Sequence, residues 1–156
     1  GKTQNRKNLT KIMAAHDIPY AAQASPSHWM DLIKKVKKAL SIEGPKFMNI
    51  LSPCNRGWRS RTDDAIMLSR LGVETCYWPL YEIEDGATKV TFKPKEKKPL
   101  VDFLKPQGRF KHLFAPENEW MLKKFQEMVD KEWEFLLKSD LGRCDSKPSG
   151  KASGAE

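Results

Sequence analysis

An α/β domain is what this sequence predicts, and three observations predict it. IPYAAQA is a short apolar run of strand length. SPSHWMDLIKKVKKAL, just after it, repeats its apolar residues at helical spacing. KFMNILSP is again a short apolar run, without the alternation of a half-solvated strand. Strand, amphipathic helix, strand is the building unit of a parallel sheet, so a mostly parallel sheet is expected, with its second strand covered on both faces. In open α/β sheets the chemistry sits in loops beyond the carboxyl ends of the strands. The residues after KFMNILSP are therefore where a site is expected.

The remaining elements follow in order. Asn8 is placed to cap a short helix, LTKIMAAH, with Leu9, Ile12 and Met13 on one side. Ser25 and Pro26 open the first long helix, which runs to about Glu43 before Gly44-Pro45 ends it. Trp29, Leu32, Ile33, Val36 and Leu40 form its apolar face, leaving Lys34, Lys35, Lys37 and Lys38 as a solvated surface. Thr62 or Asp63 caps a helix carrying Ile66, Met67, Leu71 and Val73. YWPLYEIEDG reads as a strand closing in a turn at Asp85-Gly86, with residues 88–92 as its hairpin partner and Glu82, Glu84 and Asp85 on a solvated edge. The lysine-rich run 93–98 is a connector, and residues 100–104 form a short helix followed by the loop PQGRFKHL. Pro116 begins a carboxyl-terminal helix whose Leu122, Phe125, Val129, Trp133 and Leu136 share a face. Residues 139–156 are poor in apolar side chains and are expected to be a disordered tail.

Composition narrows the function classes. The chain has 156 residues, 39% of them hydrophobic, which suits one ordinary domain able to bury roughly 70% of its unfolded surface. No stretch approaches the roughly 18 apolar residues of a membrane span, and GKTQNRKNLT has no apolar leader core, so a cytoplasmic protein with no membrane partner is expected. The formal charge of +8 fits a solvated basic surface, a docking patch for an acidic partner, or a noncatalytic basic adaptor or nucleic-acid-binding module. No aromatic RNA-binding motif, zinc finger or arginine-rich recognition helix accompanies the lysines, so no nucleic acid is expected. G-x-S-x-G, G-x-G-x-x-G and Walker A patterns do not occur.

Among candidate ligands, His16, His28 and His112 have no ligand-spaced neighbours, and Asp63-Asp64 is explained by capping. Cys54, Cys76 and Cys144 are odd in number and irregularly spaced, which fits neither a disulfide framework nor a self-contained metal site. Cys76 reads as a small core residue and Cys144 as an exposed thiol in the tail. Cys54 stands out by its address, in SPCNRGW at the end of the second strand. Its residue type leaves three roles open there: inert small residue, reactive thiol, or one thiolate ligand of a cluster completed from elsewhere.

SPCNRGW does not stand alone. Together with GKTQNRKNLTKIMAAHDIPYAAQASPSH, DLIKKVKKALSIEGPKFMNIL, LGVETCYWPLYEIEDG and KKPLVDFLKPQGRFKHL, it resembles the carboxyl-terminal half of the beta subunit of 2-oxoacid:ferredoxin oxidoreductases of the pyruvate:ferredoxin (pyruvate synthase) type. The resemblance implies that residues 1–138 are the carboxyl-terminal part of a thiamine-diphosphate-binding domain. It implies an enzyme that oxidatively decarboxylates pyruvate to acetyl-coenzyme A and carbon dioxide and passes electrons through 4Fe-4S clusters to ferredoxin. The implied cofactors are thiamine diphosphate, magnesium and a shared 4Fe-4S cluster. The implied partners are alpha-, gamma- and delta-type subunits or the missing half of the beta subunit, with ferredoxin and coenzyme A. Cys54 matches the family cysteine that ligates the cluster nearest thiamine, and Asn55, Arg56 and Trp58 shape the loop at that cofactor. The family's upstream C-x-x-C pair, third cluster cysteine and G-D-G segment are not among these residues, so the chain is expected to be inactive alone. Lys34 and Lys38 are expected to help dock ferredoxin or coenzyme A.

Overall fold

The side chain of Asn8 accepts a hydrogen bond from the Lys11 amide and so caps α1 (Leu9–Ala14), as its position predicts. The computed structural model describes residues 6–141. Beyond α1 come β1 (Tyr20–Ala24), α2 (Trp29–Ser41), β2 (Lys46–Ile50), α3 (Asn55–Trp58), α4 (Ala65–Glu74), β3 (Tyr81–Glu84), β4 (Ala87–Val90), α5 (Leu100–Leu104) and α6 (Glu119–Leu141), with short 3-10 turns leading into α2, α4 and α6.

The strand order is β2-β1-β3-β4. β1 and β2 run parallel, with Tyr20 opposite Lys46 and Ala24 opposite Ile50, and α2 is their crossover. β3 lies antiparallel on the other side of β1, and β4 antiparallel to β3. The α/β class therefore holds, while the mostly parallel sheet is corrected to a mixed one. The reason lies in the turn: Asp85 and Gly86 both have positive φ, at 47° and 77°, and a two-residue turn of this kind joins only antiparallel neighbours. β2 is corrected too. Among the described residues it pairs only with β1 and exposes Lys46 and Ile50 at its ends, so it is an edge strand covered less fully than its apolar run suggested.

α2 departs furthest from expectation, because its apolar stripe faces outward. Trp29, Ile33, Val36 and Leu40 are 59%, 44%, 38% and 79% exposed, whereas Lys35 on the opposite side is 1% exposed. The Lys35 ammonium donates to Asp31 Oδ2 at 2.7 Å, the Gln23 carbonyl at 2.8 Å and Thr91 Oγ1 at 2.8 Å. Three acceptors for three N–H groups offset the desolvation that would otherwise expel a lysine from the interior. Lys38, expected on the solvated surface, is only partly exposed and bridges Glu82 at 2.9 Å and Glu84 at 2.8 Å. Glu82 is buried on an interior strand, not on a solvated edge, and also accepts from the Tyr20 hydroxyl at 2.9 Å. Burial pushes the Glu82 carboxyl up, but the hydrogen bonds from Lys38 and Tyr20 outweigh it and hold the group below its ordinary value.

Three apolar clusters hold these layers together. Tyr20 and Ala22 meet Ala39 beneath α2, while Ala21, Tyr81, Ile83 and Val90 meet Leu136 of α6 on the opposite face of the sheet. The largest cluster gathers Leu51, Trp58, Leu68, Leu80, Phe103 and Val129 beyond the carboxyl end of β2. Gly72 permits the close packing there, since a Cβ would lie 3.3 Å from the Phe103 ring and 3.4 Å from Leu51. α6 continues through Ser139 and Asp140, past the boundary expected at residue 138, and Asp140 accepts from the Val90 amide and pairs with Lys93. The rest of the expected tail, with Cys144, lies outside the described residues. No helix among the described residues is long and apolar enough to cross a membrane.

Candidate functional site

β2 delivers the chain to the site. The Leu51 amide still bonds to the Ala24 carbonyl at 3.1 Å, and the buried Leu51 side chain anchors the exit into the Ser52-Pro53 segment. Cys54 then takes an extended conformation as the cap of α3. Its Sγ accepts from the Gly57 amide at 3.3 Å, and its carbonyl accepts from the Trp58 amide at 2.8 Å. The segment expected as a loop is thus a single helical turn with a sulfur at its head. Arg59, in the left-handed region at φ 53°, closes the turn, and Asn55 Nδ2 donates to Thr62 Oγ1 at 3.2 Å.

The four residues singled out in the sequence are brought together and given different environments. Cys54 and Arg56 are exposed, Asn55 is half-buried and Trp58 is buried. Trp58 stands edge-on to Phe103, with centroids 5.8 Å apart, so the turn is anchored through its last residue.

A second layer was not visible in the sequence. The Arg109 guanidinium lies over the Trp58 ring at 4.4 Å and over Phe110 at 4.6 Å, and its Nε donates to Gln107 Oε1 at 2.9 Å. Burial pulls this guanidinium below its ordinary value. The Gly108 amide donates to the Arg59 carbonyl at 3.0 Å, tying the turn to the segment 107–110. The only local sign was a glycine in PQGRF, and nothing there named its partner 49 positions earlier. A Cβ at Gly108 would sit 2.8 Å from Arg59 Cβ and 2.9 Å from its carbonyl. Gly108→Ala is therefore expected to cost about 1–3 kcal/mol by overpacking, seen as a lower urea midpoint at unchanged slope; an unchanged midpoint contradicts the close approach.

The other candidates lie elsewhere. Cys76 is buried, as expected of a core residue, and burial pushes its thiol up to about 11 against the opposing charge of Lys97. His28 packs against Phe92 at 4.4 Å, and His16 and His112 are exposed. A cavity of about 680 Å³ opens between α2 and β4, lined by His28, Lys34, Lys35, Lys89 and Phe92 among others, away from the cysteine turn. No group of three or more His, Cys, Asp or Glu side chains able to hold a metal occurs among the described residues. What the turn offers a metal is one exposed thiol with an amide N–H directed at its sulfur.

No protein-family profile matches the chain. Among curated proteins it is 49% identical over 138 residues to pyruvate synthase subunit PorB of Thermotoga maritima, covering 88% of this chain and 43% of that one. It is 45% identical over 136 residues to pyruvate synthase subunit PorB of Methanocaldococcus jannaschii, covering 87% and 44%. The chain is a homologue of these beta subunits of 2-oxoacid:ferredoxin oxidoreductases. A third such subunit, ketoisovalerate oxidoreductase subunit VorB of Pyrococcus furiosus, is 44% identical over 137 residues, covering 86% of this chain and 43% of its own. The family resemblance carried by SPCNRGW and its neighbouring phrases is thus matched by subunits of those names. The chain spans less than half the length of the PorB and VorB subunits it matches.

Proposed function

We propose that the chain is the carboxyl-terminal part of the beta subunit of a cytoplasmic pyruvate:ferredoxin oxidoreductase, with Cys54 giving one thiolate to the 4Fe-4S cluster nearest thiamine diphosphate. The observation that carries this reading is the placement of Cys54: an exposed thiol just past the carboxyl end of a parallel strand, capping a turn anchored by Trp58 and Arg109. The Gly57 N–H directed at Sγ holds the sulfur in place and would draw electron density from it toward the turn when a metal is bound.

When bound, thiamine diphosphate supplies the electron sink for decarboxylation, and the cluster supplies one-electron transfer. Within that chemistry this chain's residues have a holding task. Cys54 offers the ligand, Gly57 orients its lone pairs, Asn55 and Arg59 close the turn, and Trp58 keeps water from its inner side. The remaining cluster ligands, and the groups that hold magnesium and the diphosphate, belong to polypeptide outside these residues; the alpha-, gamma- and delta-type subunits and ferredoxin are the protein partners, and coenzyme A is the acyl acceptor. Pyruvate is favoured over a branched 2-oxoacid by the names of the PorB relatives at 49% and 45% identity.

In the assembled enzyme, Cys54→Ala is expected to abolish pyruvate- and coenzyme A-dependent reduction of ferredoxin. Outer-shell partners of metal sites are worth about 10–100-fold, so loss of a ligand should cost at least that. Wild-type turnover in the variant would remove Cys54 from the electron path.

A further inference from the structure

The outward stripe of α2 has the form of an interface with no counterpart among the described residues. Trp29, Ile33, Val36 and Leu40 recur at spacings of four, three and four, the pattern of a seam that packs knobs into holes against a second helix. All four are exposed, while the charged side of the same helix is turned inward and satisfied by Asp31, Glu82 and Glu84. A helix orients this way when both of its sides are spoken for. Contiguous apolar surface of this kind marks an interaction site in soluble proteins.

We infer that this stripe receives a helix from the polypeptide that makes up the remaining length of the beta subunit, and that this helix is apolar at its centre and acidic along one rim. Two observations choose this occupant. The matched segment accounts for only 43% of the Thermotoga maritima relative, so more than half of such a subunit is available to cover it. Exposed Lys37 borders the stripe along one side, so the complementary rim is acidic. A second copy of this chain fits poorly: its lysines would meet their equivalents, and each copy carries a formal charge of +8. The inference rests on the homology and the charge pattern, not on any role of Cys54.

The test uses the assembled enzyme, with a photoreactive p-benzoylphenylalanine in place of Leu40 and, as a control, in place of exposed Lys111. On illumination, the probe at position 40 is expected to cross-link to a helical peptide from the remaining part of the beta subunit that carries Asp or Glu beside its apolar residues; the control should not reach that peptide. A cross-link to a second copy of this chain, to another subunit or to lipid overturns the inference, and so does no cross-link. Lys37→Glu is expected to lower the yield of that cross-link about fivefold at low salt, with the difference lost at about 1 M salt; no change overturns the acidic rim. Both readouts are independent of turnover and of the iron signal, so a failed cluster assignment at Cys54 leaves them intact.

Discussion

Lys35→Ala is expected to lower the free energy of unfolding by about 3–5 kcal/mol, the cost of removing one partner from a buried ion pair. The ammonium is 1% exposed and satisfies a carboxylate, a backbone carbonyl and a threonine hydroxyl. The alanine variant leaves Asp31 and the Gln23 carbonyl without their donor and opens a cavity between α2 and the sheet. Lys35→Met with Asp31→Leu, which removes both charges while keeping volume, is expected to be much nearer neutral. The pair therefore stabilises relative to its broken form far more than relative to an apolar replacement.

The cost also depends on pH. Burial pulls the Lys35 ammonium below its ordinary 10.5, with Asp31 opposing. Between the lowered folded value and 10.5 the unfolded chain binds more protons than the folded one, so this group makes the wild type gain stability as pH rises through that window. The variant lacks that gain, and the gap between the two should widen toward pH 10. Urea unfolding at several pH values measures both effects; a loss under about 1 kcal/mol would mean that the ammonium reaches water.

Cys54→Ser and Cys54→Ala are expected to separate ligation from folding. Serine is among the best N-cap residues, so its hydroxyl should take the Gly57 N–H in place of Sγ and keep α3 intact. An alkoxide is a harder, poorer ligand for cluster iron than a thiolate. The serine variant should therefore assemble normally while its cluster shows a shifted paramagnetic signal and potential. The alanine variant, with no ligand atom at all, should lose the signal of that cluster. Electron paramagnetic resonance of the dithionite-reduced assemblies reads this directly, and wild-type spectra from both variants would contradict ligation by Cys54.

Much of this architecture was legible because its signals are local. Asn8 before an apolar repeat, Asp85-Gly86 between two strand-like runs, and LVDFL after Pro99 each specify their element through neighbours a few residues away. The address of Cys54 was legible in the same way, since a strand and its exit are both local. The orientation of α2 was not. Amphipathicity says that one face is apolar; it does not say which polypeptide that face meets, and the charged face was held by Gln23 and Thr91, 12 and 56 residues from Lys35. The mixed sheet escaped for a related reason, because β1 pairs with a strand some sixty residues later. Arg109 and Gly108 gain their roles only when the segment 107–110 folds back onto Trp58 and Arg59.

The most direct measurement is anomalous diffraction at the iron edge from crystals of the assembled holoenzyme. An iron peak at bonding distance from Cys54 Sγ, in a cluster whose other ligands come from outside residues 6–141, is the predicted result. An iron site with a complete ligand set elsewhere, and Cys54 Sγ remote from every iron, would contradict it.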